Sequence, residues 1–238
     1  MTGLPSASEL LTIIVPVYNE CRTVRAVFER LLTVQLPLPT EIIVVDDGST
    51  DGTTQLLADA ESDGLPLTIL YAARNGGKGC AIRRGLAAAR GTIIAIQDAD
   101  LELDPQQLAA LVQPILDGRT DVVYGSRFLI RSARVPWLTV AANRVLTGVT
   151  NALYGGALTD METCYKIMRA PVARSLDLSA NRFDIEPQIT ARLLRGGHRI
   201  HEVPVHFVPR ARAEGKKIGW RDGVRALHVL ASERLRRL

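Results

Sequence analysis

Over its first half the chain alternates short apolar runs with amphipathic segments, and no other feature limits the possible folds as tightly. Residues 11–17, 41–46, 67–72, 92–97 and 121–125 read as strands, and 22–33, 53–62, 78–90 and 105–116 as the helices between them. Strands rich in Ile, Val and Leu, each followed by a helix, predict a mostly parallel α/β sheet flanked by helices. Each strand ends in something polar. In open α/β sheets ligands sit beyond the carboxyl ends of the strands, so these polar ends should converge on one crevice. The 238 residues suffice for one large domain and hardly for two, so a single domain over 1–238 is expected.

A formal charge of +4 with 23% charged residues is mildly basic and fits an anionic partner of any kind. Cys21, Cys80 and Cys164 are odd in number and scattered, which argues against a disulfide framework or a structural zinc site and suits a reducing cytoplasm. The opening MTGLPSASEL has no basic or apolar leader pattern, and no run of about 18 apolar residues offers a membrane span. A soluble protein, or one peripheral to a membrane, is expected. With five Tyr and four Phe in the chain, and acids at the presumed crevice, a nucleic-acid groove is disfavoured.

The most specific strand end is 92–105, TIIAIQDADLELDP, where Asp98, Asp100 and Glu102 follow an apolar strand. Carboxylates this close raise one another's pKa unless a cation shares the site, and oxygen ligands without His or Cys suit Mg²⁺ or Mn²⁺. The alternative is an acidic turn that caps the helix near Pro105. After the first strand, Tyr18 can stack on a base and Glu20 can accept hydrogen bonds from it or a ribose; a proline-ended strand with a helix cap fits equally well. After the second, Asp46 and Asp47 can bind a base edge or ribose, while Ser49, Thr50 and Asp51 suit a turn and N-cap. After the third, 74–79 (RNGGKG) is like a phosphate cradle but lacks the spacing of a P-loop. No GxGxxG follows the first strand, which argues against a dinucleotide enzyme.

In this order, PVYNE, VVDDGSTDGT, NGGKG and DAD resemble the family 2 inverting glycosyltransferases of GT-A fold. The later GSR, DMETCYK, FDIEP and EVPV resemble the branch containing dolichyl- and polyprenyl-phosphate mannose and glucose synthases. Together they cover roughly residues 10 to 225. The resemblance implies that Pro16, Tyr18, Glu20 and Asp47 hold the nucleoside, with Lys78 and Asp98 in the same donor site. It implies a metal on Asp98, Asp100 and Glu102, although the mannose synthases carry Gln at the third acid. Asp100, Arg127, Arg210, Lys216 and Glu186 are the expected catalytic groups. Residues 1–127 would form the donor and metal half, and 128–238 the acceptor half.

In that second half, 137–154 places Leu138, Ala142, Val145, Leu146, Val149 and Leu153 on one helical face, with Asn143, Thr147, Thr150 and Asn151 opposite. A core helix and a helix lying at a membrane interface are both consistent with this pattern. Residues 183–194 read as a helix with Asp184 and Glu186 at its start. A carboxylate there deprotonates hydroxyl acceptors in many inverting transferases, whereas a phosphate acceptor is ionised already and needs no base. The run 209–221 is a solvated basic loop or, by resemblance, a loop closing over the phosphates. The last helix, 220–238, is basic and amphipathic and suits an anionic membrane surface. The expected function is transfer of a hexose from GDP-mannose or UDP-glucose to a polyprenyl phosphate. Transfer to a saccharide hydroxyl and an inactive nucleotide-sugar-binding subunit are the alternatives.

Overall fold

The computed structural model describes residues 9–130, 135–210 and 219–236. Its elements in order are β1 (Leu11–Val17), α1 (Val24–Thr33), β2 (Thr40–Asp46), α2 (Thr53–Ser62), β3 (Leu67–Tyr71), α3 (Lys78–Ala88) and β4 (Ile93–Ile96). A 3-10 turn (Pro105–Gln107) leads into α4 (Leu108–Leu116), followed by β5 (Val122–Ser126), α5 (Trp137–Tyr154), β6 (Lys166–Arg169) and α6 (Ala170–Ser175). Then come α7 (Ile185–Arg195), β7 (Ile200–Pro204) and α8 (Trp220–Leu235).

One seven-stranded sheet runs in the order β3-β2-β1-β4-β6-β5-β7. Its first four strands are parallel, as are β5 and β7, while β6 runs antiparallel to both β4 and β5. Successive side chains alternate between faces. In β1, Leu11, Ile13, Val15 and Val17 join one core with α1 and α4, and Ile14 joins the other with α3 and α7. Both faces are therefore buried, as the apolar strands require. The chain order reverses between β1 and β4, which makes this the crevice-forming point of the sheet.

The five expected strands and four helices of the first half are present with small shifts at their ends. Unforeseen are β6, α6 and β7. The strand β6 opens on a charge, Lys166, that is wholly buried, and β7 is an edge strand carrying His201, Glu202 and Pro204. Neither has an apolar run long enough to announce itself, and proline is tolerated at an edge.

Helix α5 spans the expected residues, but its buried side takes in Leu146 from the apolar face together with residues of the polar one. Asn143, Thr147 and Thr150 are buried, while Trp137, Leu138 and Val145 are 74%, 61% and 60% exposed. The reason lies in the 158–161 loop. Asn151 pairs with Leu158 through both its amide groups, Asn143 donates to the Thr159 carbonyl, and the Met161 amide donates to the Thr147 hydroxyl. Those backbone groups would be buried without partners if an apolar face were turned inward. A third, smaller core joins α5 to α7 and α8 through Leu146, Met161, Ala191, Ala226 and Leu230. On α8, Val224 and Leu227 remain exposed.

Candidate active site

The ends of β1 and β2 are laced together before any ligand is considered. The Asn19 amide donates to Ser49 Oγ and the Thr50 amide to Asn19 Oδ1. Asp51 accepts from the Thr53 amide at the start of α2 and from the Cys21 amide; burial works against its ionisation, but these bonds and Thr53 Oγ1 bring its pKa down to about 2. Asp51 thus serves as a turn residue, and the N-cap position of α2 falls to Gly52, which has no side chain to cap with. The acids after β4 are no helix cap, because Asp104 accepts from Gln106 N and fills that place.

One pocket lies over this end of the sheet and is lined by Pro16, Tyr18, Glu20, Asp47, Lys78, Asp98, Asp100, Glu102, Arg127 and Arg210. The sequence had named all of these. Of the other expected residues, Glu186 sits just behind the wall, bonded to Lys78, and Lys216 lies outside the described residues. Glu162, Cys164, Arg182 and Phe183 also line the pocket and were missed as site residues. Glu162, Cys164 and Phe183 did have a signal, since they lie in the DMETCYK and FDIEP motifs, but no role is attached to them there; Arg182 lies outside both motifs.

Several expected roles change on inspection of the partners. Asp47 accepts from the Gly76 and Gly77 amides at 2.9 and 2.6 Å, so it anchors the 75–78 loop in addition to facing the pocket. Burial raises its pKa and these two amides oppose the rise. Their donors are spent on Asp47, so the loop is no open phosphate cradle. Gly77 has φ +95°, and a Cβ there would come 2.4 Å from the Asn181 carbonyl oxygen, which leaves no room for a side chain. Arg127, one of the expected catalytic groups, is paired bidentately with the fully buried Asp160 at 2.7 and 2.8 Å. It is stacked near Phe128 and Phe207, and its charge is already balanced.

Two cations of the chain itself meet the acids. Lys78 Nζ lies 2.8 and 3.0 Å from the two Asp98 oxygens and 2.8 Å from Glu186 Oε1. Arg210 forks onto Glu20 at 2.8 and 3.1 Å and reaches Asp100 at 3.1 Å. Arg210 is delivered by a short pairing of two segments. Leu101 turns with φ 62°, Leu103 bridges Phe207, the Val208 amide donates to the Glu102 carbonyl, and the Arg210 amide donates to Glu102 Oε1 at 2.7 Å. Glu102, expected as a third metal ligand, is thus engaged in holding Arg210 over the other acids.

Asp100 still carries a surplus of negative charge around it. Burial, Asp98 and Glu102 push its pKa up to about 7 against the pull of Arg210. Among the described residues no three acid, His or Cys side chains converge to hold a metal unaided. Two oxygen-donor carboxylates, Asp98 and Asp100, do fit a divalent cation of the kind held by one or two carboxylates together with a ligand's phosphates. Glu186 differs. Burial would raise its pKa, but Lys166 at 2.5 Å and Lys78 outweigh this and hold it below the usual carboxylate range. Lys166 is itself buried, donates to the Met161 and Thr163 carbonyls, and lies 4.7 Å from the centroid of the Tyr124 ring.

Comparison with known proteins agrees with this geometry. The model of "Glycosyl transferase family 2" matches residues 12–176. The undecaprenyl-phosphate mannosyltransferase of Micrococcus luteus is 30% identical over 227 residues, covering 91% of this chain and 90% of that protein. The dodecaprenyl-phosphate galacturonate synthase of Rhizobium johnstonii is 31% identical over 215 residues, covering 86% of this chain. The chain spans 60% of that protein, and 63% of an undecaprenyl-phosphate 4-deoxy-4-formamido-L-arabinose transferase from Aeromonas hydrophila. Among solved structures, glucosyl-3-phosphoglycerate synthase of Mycobacterium tuberculosis, in complex with Mn²⁺, UDP and phosphoglyceric acid, superposes with a TM-score of 0.72. It is 22% identical, covering 96% of this chain and 79% of that one, and it supports the GT-A fold. With an α/β sheet whose strand ends gather the acids of the early motifs, and a family model matching well over half its length, the chain belongs to glycosyl transferase family 2.

Proposed function

We propose that the chain transfers a hexose, with inversion, from a nucleoside diphosphate sugar such as GDP-mannose or UDP-glucose to a polyprenyl phosphate at a membrane surface. The observation that carries this reading is the pocket at the sheet's reversal point, where Asp98 and Asp100 meet Lys78 and Arg210. Relatives covering most of the chain are named for transfer to polyprenyl phosphates. Residues 1–127 form the donor half in this reading and 128–238 the acceptor half.

Tyr18, Pro16 and Glu20 hold the nucleoside, while Asp47 fixes the loop beneath it. Asp98 and Asp100 hold Mg²⁺ or Mn²⁺, which when bound supplies Lewis-acid stabilisation of charge on the departing diphosphate. Lys78 stays beside Asp98 as a fixed positive charge. Arg210, which contacts Asp100 through one arm only, would be the residue to turn to the phosphates of a bound donor, with Asp98 and Asp100 left to hold the cation. An acceptor phosphate oxygen attacks the anomeric carbon in line, forming the new C–O bond as the bond to the nucleoside diphosphate breaks. Arg210 steadies the charge that develops there. No proton has to be removed, since a phosphate monoester with a second pKa of about 6 is ionised near neutrality. That suits Glu186, whose lowered pKa and two lysine partners make it a weak base and so disfavour a hydroxyl acceptor. The test is nucleoside diphosphate release from a panel of nucleotide sugars, expected for one donor and only when polyprenyl phosphate is present. Release that follows a soluble sugar acceptor instead would overturn the reading.

Contact with the bilayer would come from α5 and α8. No helix among the described residues is long and apolar enough to cross a membrane. Trp137, Leu138 and Val145 are exposed on α5, as are Val224 and Leu227 on α8, with Arg225 and Arg234 also exposed on α8. Two moderate anchors bind reversibly where one is marginal. The protein should sediment with vesicles containing phosphatidylglycerol, less so as salt rises. Leu138→Glu with Val145→Glu should abolish sedimentation, and Arg225→Glu should weaken it. Truncation before residue 233 is a poor test, because Glu233 is buried and paired with Gln188 and Arg192. Equal sedimentation of all three proteins would refute this surface.

A further inference from the structure

The order of strands lays out the pocket in one direction. The β1 and β2 ends carry Tyr18, Glu20 and Asp47, the β4 end carries Asp98 and Asp100, and β6 comes next. Because β6 is antiparallel to β4, its start lies at the same edge of the sheet as the end of β4. The loop entering β6 therefore continues the pocket wall on the side of the acids away from β1 and β2. A nucleoside diphosphate sugar has the same linear order of nucleoside, diphosphate and hexose. With the nucleoside over β1 and β2 and the diphosphate at the β4 acids, the hexose lies over the entry to β6.

Glu162 is the carboxyl side chain that this loop contributes to the pocket wall, beside Cys164. Its Oε1 is closed off from solvent and has no hydrogen-bond partner among the described residues. Among the described residues, the two cations acting on it are committed elsewhere: Arg127 to Asp160, and Lys166 to Glu186 and two carbonyls. A buried acceptor left without a partner is costly, and such atoms persist where a ligand completes them. Burial and the nearby Glu186 push the Glu162 pKa up to about 7, so near neutrality it can both donate and accept. That pair of abilities suits an alcohol, which has one hydrogen to give and lone pairs to receive.

Resting on the donor reading above, we infer that Glu162 is a specificity-determining residue whose carboxyl hydrogen-bonds a hydroxyl of the transferred hexose and so selects among sugars on the same nucleotide. A site built to bond a hydroxyl rejects an analogue that lacks it or points it elsewhere, because the buried group is again left unpaired.

The test is calorimetric binding to the full chain with Mn²⁺, using UDP and GDP and then UDP-glucose, UDP-galactose, UDP-xylose and GDP-mannose. In Glu162→Ala the nucleoside diphosphate should bind within about twofold of wild type, while its preferred sugar conjugate weakens by about tenfold or more. The isosteric Glu162→Gln should keep the fold and reorder the sugars. A conjugate-to-diphosphate affinity ratio unchanged in Glu162→Ala overturns the inference and leaves the donor reading standing. If Glu162→Ala does not fold, Glu162→Gln decides alone, and an unaltered ratio and ranking overturn the inference. A wild-type protein that binds neither UDP nor GDP with Mn²⁺ overturns both.

Discussion

Asp100→Asn is expected to lower kcat/KM by about 1,000-fold, or ~4 kcal/mol of transition-state stabilisation, the scale of a misplaced Lewis acid. Asp100 is the more buried of the two acids offered to the cation, with 15% of its side chain exposed against 26% for Asp98. Asp98 is already matched with Lys78, so its charge is largely answered without a metal. Asp100 shares only one arm of Arg210, whose better contacts are to Glu20. The substitution removes charge without changing shape, and the fold should survive with an unaltered melting temperature. Addition of Mn²⁺ with the nucleoside diphosphate should raise the melting temperature of the wild type and not that of the variant. Undiminished turnover in EDTA would contradict the assignment.

Glu186→Ala should have its large effect on stability. The side chain joins two lysines that have little access to water, Lys78 at 11% exposure and Lys166 at 0%. Removing one partner of a buried ion pair costs about 3–5 kcal/mol because the remaining charge is left uncompensated. For a domain of this size that corresponds to a fall in Tm of roughly 10 °C. Since the folded pKa of Glu186 is lowered, its contribution is complete above the ordinary Glu value of about 4.3 and is lost as pH falls through the folded value. Melting curves of wild type and Glu186→Gln should therefore converge in acid and separate as pH rises. Equal Tm values at pH 7 for wild type and Glu186→Ala would show that the lysines need no such partner.

The parts of the molecule legible in the sequence are those whose cause is local. The β1 and β2 strands are buried on both faces, so their apolar runs stand out, and the turn before α2 forms where Asp51 accepts from the Thr53 amide. The acids after β4 were visible because three carboxylates in five residues are unusual anywhere. What stayed hidden depends on partners far along the chain. The face of α5 is set by carbonyls and amides at 158–161, so Asn143, Thr147 and Thr150 turn inward beside Leu146, against the ordinary rule for an amphipathic helix. Lys166 looks like a surface residue until Glu186, 20 positions later, is seen to neutralise it. Arg210 meets Glu20 across 190 positions, and no spacing rule reaches that far. Arg127 belongs with these, since it lines the pocket as expected while its pairing with Asp160, 33 positions on, braces the end of β5 to the loop before β6.

These long-range pairings bear directly on how the site would act. Lys78 and Arg210 occupy its acids in the absence of ligand, Lys78 on Asp98 and Arg210 on Asp100 and Glu20. A donor carrying its own diphosphate and cation would exchange partners with Arg210 instead of meeting bare carboxylates. On the proposed reading, the lysine-bound Glu186 is a structural partner of Lys78 and Lys166 and not a base for a hydroxyl.

The measurement that bears most directly on the central claim follows sugar-labelled donor into product with Mn²⁺, using undecaprenyl phosphate in anionic vesicles beside a soluble saccharide acceptor. The account predicts label in the lipid phase, as a sugar phosphate of inverted anomeric configuration, formed at an undiminished rate when the saccharide is omitted. Label found only in the water-soluble saccharide, with its transfer abolished in Glu186→Gln, would contradict it.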